Sequence, residues 1–189
     1  VTKIGENAFR MNKMKTIDLP EGTTELKVHA LGDLDFEIPS TVKKIGGGVV
    51  NCETKVTVNP ENPYFKMKDG ILYSKDEKIL YGASKDVKAK VSISLETEKI
   101  MPYSFTYSKV KEVTLNHNIT KIPKCTFAEC HKLKIVSNTE KVQMIGYGCF
   151  AYCYDLEDVG TMPELKEIRK AAFWTLRDLC PPKCDFEKL

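Results

Sequence analysis

Apolar and polar positions along this chain recur as one unit. It is written most fully as Val142-x-x-Ile145-Gly146-x-x-Cys149-Phe150-x-x-Cys153-x-x-Leu156. An Ile or Leu followed five residues later by Phe or another large apolar residue returns at Ile4/Phe9, Leu26/Leu31, Ile45/Val50, Ile100/Phe105, Ile122/Phe127, Ile145/Phe150 and Ile168/Phe173. Successive starts lie 22, 19, 55, 22, 23 and 23 residues apart. A fixed period in the low twenties marks a solenoid, in which each coil buries its apolar face against the next.

Within a unit the alternation changes twice. Ile17-x-Leu19, Phe36-x-Ile38 and Val113-x-Leu115 each place two apolar side chains on one side of a short strand, the pattern of a strand with a single buried face. Pro20 and Pro39 follow directly, and a residue with fixed φ and no amide donor ends a strand. A Val-x-x-Ile segment then returns along the coil, and Gly5, Gly46 and Gly146 sit at the next corner, where a permissive backbone is expected to help. The Phe that follows plugs the corner from inside. Phe9, Phe105, Phe127, Phe150 and Phe173 are therefore predicted to stack in one interior row. Ser94, Asn116 and Thr139 replace the strand-ending proline, and Gly47 and Gly48 replace larger residues, so looser corners are expected there.

The long gap between Ile45 and Ile100 holds an insertion over 59–90. Gly70-Ile-Leu-Tyr-Ser74 and Lys78-Ile-Leu-Tyr-Gly82, joined by Lys75-Asp76-Glu77, read as a β-hairpin. Its apolar residues Ile71, Leu72, Ile79 and Leu80 need a core to enter. After Phe173 the next strand would fall on Pro181 and Pro182, which cannot extend a ladder. Residues 174–189 are thus expected to form a terminal cap or its stump, with Trp174 part of the cover.

Ile4-Gly-Glu-Asn-Ala-Phe9, Ile17-Asp-Leu-Pro20, Ile38-Pro-Ser-Thr-Val-Lys-Lys-Ile-Gly46, Thr126-Phe-Ala-Glu-Cys130 with Leu133, and Cys149-Phe-Ala-Tyr-Cys153 with Leu156 together resemble the BspA-like leucine-rich repeats of microbial surface proteins. The likeness covers nearly the whole chain. The resulting expectation is a mainly β, right-handed leucine-rich-repeat solenoid of about seven coils, with short helical corners and an inserted β-hairpin, forming a single domain over 1–189. The resemblance also implies that the insertion continues the sheet, and that the protein is a surface adhesin.

Composition narrows the function by exclusion. Lys+Arg 29 against Asp+Glu 26 gives +3, too balanced for a nucleic-acid binder, which carries a concentrated basic stripe. No apolar run reaches the roughly 18 residues of a membrane span. Val1 falls inside a repeat, so the expectation is a processing boundary there, and a missing leader says nothing about export. Seven cysteines is an odd number, so pairing cannot be complete. Cys130 and Cys153 share one repeat position with Asn12, Ser108 and Leu176 and are expected to be reduced and sheltered. Cys180 and Cys184, bracketing Pro-Pro-Lys, are the disulfide candidate. The cysteines lack zinc-ligand spacing, His29, His117 and His131 fall at unrelated repeat positions, and none of the usual catalytic strings occurs. The chain is read as a monomeric non-enzyme with no metal and no cofactor.

What remains is the outward row of the strands: Thr16/Asp18, Asp35/Glu37, Lys55/Thr57, Lys90/Ser92, Glu112/Thr114, Ile135/Ser137 and Asp158/Gly160. It runs from acidic to basic and hydroxylated and back to acidic. Lys55, Thr57, Lys90, Ser92 and Glu112, beside the insertion, are the candidate ligand-binding residues, with a protein or a glycan as partner and the cell surface or the extracellular space as location. An architectural spacer and a carbohydrate-binding accessory module are the alternatives.

Overall fold

The structure, a computed structural model, describes residues 1–174. Fifteen short strands occur in them: β1 (Lys3–Ile4), β2 (Glu25–Leu26), β3 (Phe36–Ile38), β4 (Lys44–Ile45), β5 (Val56–Val58), β6 (Phe65–Lys68), β7 (Ile71–Ser74), β8 (Ile79–Ala83), β9 (Lys90–Ser92), β10 (Lys99–Ile100), β11 (Glu112–Thr114), β12 (Lys121–Ile122), β13 (Ile135–Ser137), β14 (Met144–Ile145) and β15 (Glu167–Ile168). Outside the insertion every pairing is parallel and joins equivalent residues of successive coils. One strip of the solenoid carries the alternating strands, β3 with β5 and β9 with β11 and β13. The other carries the Ile-ended return segments, β1-β2-β4 and β12-β14-β15.

The insertion is a three-stranded antiparallel meander, not a two-stranded hairpin. β6 pairs with β7 and β7 with β8; β6 was already written in the alternation Phe65-x-Met67. β8 then pairs in parallel with β10, Leu80 opposite Ile100, so the insertion ends by supplying a return segment of its own. The amide of Ala83 donates to the Ser104 carbonyl (2.7 Å), the bond that the amides of Phe105, Phe127 and Phe150 make to the coil after theirs. Ala83 therefore holds the Phe position of an additional coil. The solenoid has about eight turns rather than seven, with Phe9, Leu31, Val50, Ala83, Phe105, Phe127, Phe150 and Phe173 at equivalent steps.

This sequence of side chains also breaks the expected aromatic row. Phe105, Phe127, Phe150 and Phe173 stack with centroids 5.2, 5.4 and 5.2 Å apart and ring planes within 22°. Phe9 stands apart from them, half-buried in the first turn, because Leu31, Val50 and Ala83 intervene. The core divides accordingly into two clusters, and β7 joins them: Leu72 packs with Leu26, Leu31, Ile38 and Phe65, whereas Ile71 and Tyr73 pack with Leu80, Val91 and Ile100. All three are buried, as expected of a strand covered on both faces.

No helix forms at the corners among the described residues. Each corner instead visits the left-handed region, at Asn7 and Met11, at His29 and Gly32, at Tyr103 and Tyr107, at Cys125 and Glu129, and at Gly148 and Tyr152. A helix needs an unbroken run of negative φ, and a residue near φ +60° ends it.

The corners expected to be loose are tied down. Buried Asn116 donates from Nδ2 to the Thr97 carbonyl (2.9 Å) and accepts from the Asn118 amide (2.7 Å), and the Thr139 hydroxyl donates to the Thr161 carbonyl (3.0 Å). Side-chain hydrogen bonds to the neighbouring coil replace what proline does elsewhere. At Gly46, Gly47 and Gly48 an added Cβ would lie 2.6 Å from the Val28 amide, 2.6 Å from the Pro102 carbonyl oxygen and 2.2 Å from the His29 ring. The third corner is crowded, and glycine is there for close approach.

Cys130 and Cys153 are buried and free. Each thiol donates to the carbonyl of the Phe one turn earlier, Cys130 to Phe105 (2.8 Å) and Cys153 to Phe127 (3.0 Å). Burial pushes the Cys153 thiol up to about 12 and Cys130 well above its usual value, so neither is a ready thiolate. The Cys180/Cys184 pair and the cap proposed for 174–189 lie outside the described residues, apart from Trp174, whose ring contacts Tyr152 at 5.2 Å.

Candidate functional site

The row of outward residues is interrupted where the meander rises. β5 and β9 would be neighbours in an uninterrupted solenoid; the strand sheet ends at β5 and resumes at β9, with β6 between them. Lys55 and Thr57 are consequently separated from the other three candidates. Thr57 borders a recess of about 280 Å3 against β6, shared with Asn59, Phe65, Lys66 and Lys75. Lys55 uses its amide to bond Asp35 Oδ1 (2.7 Å). That bond, more than the nearby Lys85 ammonium, holds the Asp35 carboxyl below its usual range.

Lys90, Ser92 and Glu112 do come together. Glu112 is paired in register with Lys90, and their side chains form an ion pair of 2.8 Å. Lys90 and Ser92 line one wall of a groove of about 230 Å3; Lys68 and Asp69 form the facing wall and Lys88 flanks it. The Lys88–Asp69 ion pair (2.5 Å) closes one end. The other end opens into a wider recess of about 580 Å3 bordered by Lys66, Lys68, Glu77, Ser94 and Leu95. The meander thus forms one wall of the groove, and contributes charged groups that the sequence reading missed: Lys66, Lys68, Asp69 and Glu77.

Glu77 fastens that wall. Its carboxylate accepts from Lys66 and Lys68, both at 2.8 Å, and from the Ser94 hydroxyl, while its carbonyl accepts from Thr97 Oγ1 (2.9 Å). Lys66 first, then Lys68 and Ser94, lower the carboxyl to about 2. A carboxyl lower in the folded than in the unfolded chain adds stability above its ordinary value near 4.5, and that stability is lost as pH falls toward 2. Glu77→Gln should therefore cost about 1–2 kcal/mol at neutral pH, allowing for solvent screening. Urea titrations at pH 7 and pH 2.5 check this: the wild type should lose most of its advantage over the variant at the lower pH.

Chemically, the groove and its adjoining recess offer four ammonium groups (Lys66, Lys68, Lys88, Lys90) and five carboxylates (Asp69, Asp76, Glu77, Glu96, Glu112), and each of the four lysines is ion-paired. Tyr73 lies at its base with its hydroxyl bonded to the Ser94 backbone, and burial pushes it up to about 12. The histidines are elsewhere: His117 is exposed on the coil after β11, His131 pairs with Glu129 at 2.9 Å, and His29 packs against Tyr103 at a corner. Among the described residues no group of three or more His, Cys, Asp or Glu could hold a metal ion. No helix in them is long and apolar enough to cross a membrane.

Parallel short strands, in-register stacking at a period in the low twenties and an Ile-to-Phe core step define a leucine-rich-repeat solenoid. The model of the BspA type leucine rich repeat region matches residues 1–76 and 77–180 with six copies, and the chain belongs to that family. Three solved structures share the fold. The pneumococcal vaccine antigen PcpA superposes with a TM-score of 0.66 at 22% identity, covering 89% of this chain and 53% of PcpA. A leucine-rich repeat protein from Eubacterium ventriosum gives 0.63 at 18%, covering 89% and 63%. A leucine rich cell surface protein from Faecalibacterium prausnitzii gives 0.59 at 16%, covering 85% and 57%. The chain spans less than two thirds of each of these. No curated protein matches it.

Proposed function

We propose that the chain is a non-catalytic binding module of a cell-surface or secreted protein, adhesin-like, that engages a protein ligand along its strand face. Membership of a family of repeats that generally serve as binding modules supports the reading. So does the description of structural neighbours as a cell surface protein and a vaccine antigen. The observation that carries it is the groove between β6 and β9, where Lys90 and Ser92 on β9 face Lys68 on the meander wall and Lys88 flanks them. Energy at such a surface concentrates in a few central residues, here Lys68, Lys90 and Ser92, with Glu112 orienting Lys90. Lys55 and Thr57 add contacts on the far side of β6. Charges of both signs, paired with one another on the free surface, favour a protein ligand with a complementary pattern of charged side chains.

The test is surface plasmon resonance against extracellular-matrix proteins, followed by the double substitution Lys55→Glu/Lys90→Glu in any pair that binds. Both lysines are exposed, so the fold should be retained while affinity falls at least about tenfold. Unchanged affinity in a folded variant would remove the strand face as the site, and a panel in which nothing binds would favour an architectural spacer.

A further inference from the structure

A second recess lies on the corner edge of the solenoid, and it exists because the fourth turn has no corner. From Ala83 the chain passes directly into the Ser84–Val87 turn, whereas the third and fifth turns carry full corner loops. Those loops close over the missing one. Gly47 approaches Pro102, where a Cβ would meet the carbonyl oxygen at 2.6 Å. His29 reaches from the second turn across Gly48 to Tyr103 of the fifth, ring centroids 4.5 Å apart. Between them opens a notch of about 390 Å3, lined on its rim by Arg10, Met11, Asp33, Glu53, Thr106 and Tyr107.

Its polar groups are fixed in place. Asn51 donates from Nδ2 to the Gly32 carbonyl (2.8 Å) and to Asp33 Oδ1 (3.3 Å), and accepts at Oδ1 from the Glu53 amide (2.9 Å). One side chain thus positions both carboxylate-bearing residues. Neither Asp33 nor Glu53 has an ion-pair partner among the described residues, although Asp35 nearby is paired to Lys85 at 3.0 Å. Tyr107 is 56% exposed at the rim, held at φ 63° by its turn and tied by its amide to the Ala128 carbonyl (3.0 Å).

We infer that this notch is a binding site for a neutral sugar residue of a glycan. The argument is one of charge and shape. Two carboxylates without an ion-pair partner share the lining with the Arg10 guanidinium and the His29 ring, so an anion meets the first and a cation the second. A neutral ring bearing adjacent hydroxyls can donate to the carboxylates and accept from Arg10 and His29 together, while Tyr107 and Met11 cover its apolar C–H face. The volume of the notch lies at the lower end of small-molecule sites and fits one or two pyranose rings. The site is separate from the strand-face groove and does not depend on it.

The test uses isotopically labelled protein titrated with methyl glycosides of glucose, galactose, mannose and N-acetylglucosamine and their disaccharides, followed by amide chemical shifts. At least one should shift Gly48, Asn51 and Tyr107 at millimolar concentration. Tyr107→Ala and Asp33→Ala should each weaken it about tenfold or more, with Tyr64→Ala, an exposed aromatic on the insertion, without effect. Absence of shifts for the whole panel, shifts that map elsewhere, unchanged affinity in both notch variants, or selective binding of an acidic sugar or a peptide would overturn the assignment. The strand-face substitutions Lys55→Glu/Lys90→Glu should leave sugar binding intact, so the two readings fail separately.

Discussion

Phe127→Ala should lower the unfolding free energy by about 4 kcal/mol, within the range of buried aromatic truncations. Phe127 is fully buried and lies between Phe105 at 5.2 Å and Phe150 at 5.4 Å, nearly parallel to the second. Truncation removes its own buried area and both ring contacts. It also opens a void beside the Cys153 thiol, which bonds the Phe127 carbonyl. A solenoid cannot redistribute such a loss, because each coil is held only by its two neighbours. Phe9, half-buried in the first turn and outside the aromatic stack, supplies the contrast: Phe9→Ala should cost about 1–2 kcal/mol, less than a fully buried ring. Urea denaturation followed by circular dichroism measures both. Equal losses, or less than about 1 kcal/mol for Phe127→Ala, would contradict the stacking register.

Gly146→Ala should cost about 3 kcal/mol, the upper part of the range for overpacking, although alanine is ordinarily the better residue for the unfolded-state balance. An added Cβ would lie 2.4 Å from the Lys124 amide nitrogen, 2.4 Å from the Pro123 carbonyl carbon and 2.8 Å from its oxygen. All three are backbone atoms of the preceding turn, so relief requires separating two coils that the Gly146 amide bonds together through the Ile122 carbonyl (2.8 Å). Gly5 occupies the same repeat position with nothing within 4 Å of its added Cβ, and Gly5→Ala should be neutral or slightly stabilising. Comparing the two thermal midpoints tests whether coil-to-coil approach selects glycine here. A similar small effect at both sites would return the explanation to local backbone conformation.

The repeat was legible because it is local: Ile-x4-Phe and Val-x-x-Ile need only a window of a dozen residues, and a side chain stacked on its own equivalent recurs at a fixed spacing. Parallel pairing, the two strips and burial of Cys130 and Cys153 follow from that spacing. The additional turn was hidden because Ala83 shares no apolar size with the Phe row and Leu80 is only three residues before it; what assigns it is the hydrogen bond to Ser104 from the next coil. β6 left its alternation in Phe65-x-Met67, a signal short enough to pass for a loop. The helical corners failed because left-handed φ at Tyr103, Tyr107, Cys125 and Glu129 is imposed by the coil's closure, against the ordinary preference of those residue types.

For the candidate site the division has the same cause. Sequence alone determined that Lys55, Thr57, Lys90, Ser92 and Glu112 point outward, since alternation about Val56, Val91 and Val113 requires it. Only the tertiary structure decided which of them are neighbours. β6 enters between β5 and β9, separates Lys55 and Thr57 from the rest, and brings Lys66 and Lys68 to the groove, where the β7–β8 turn adds Glu77. The corner notch is likewise tertiary: Arg10, His29, Asp33, Asn51, Glu53 and Tyr107 come from four different turns, and they meet because the fourth turn omits a corner. A periodic sequence fixes what each coil presents, because its own strands and turns set the direction of every side chain. An insertion that skips one corner and wedges another strand changes which coils touch, and that contact is set by packing across residues far apart in the chain.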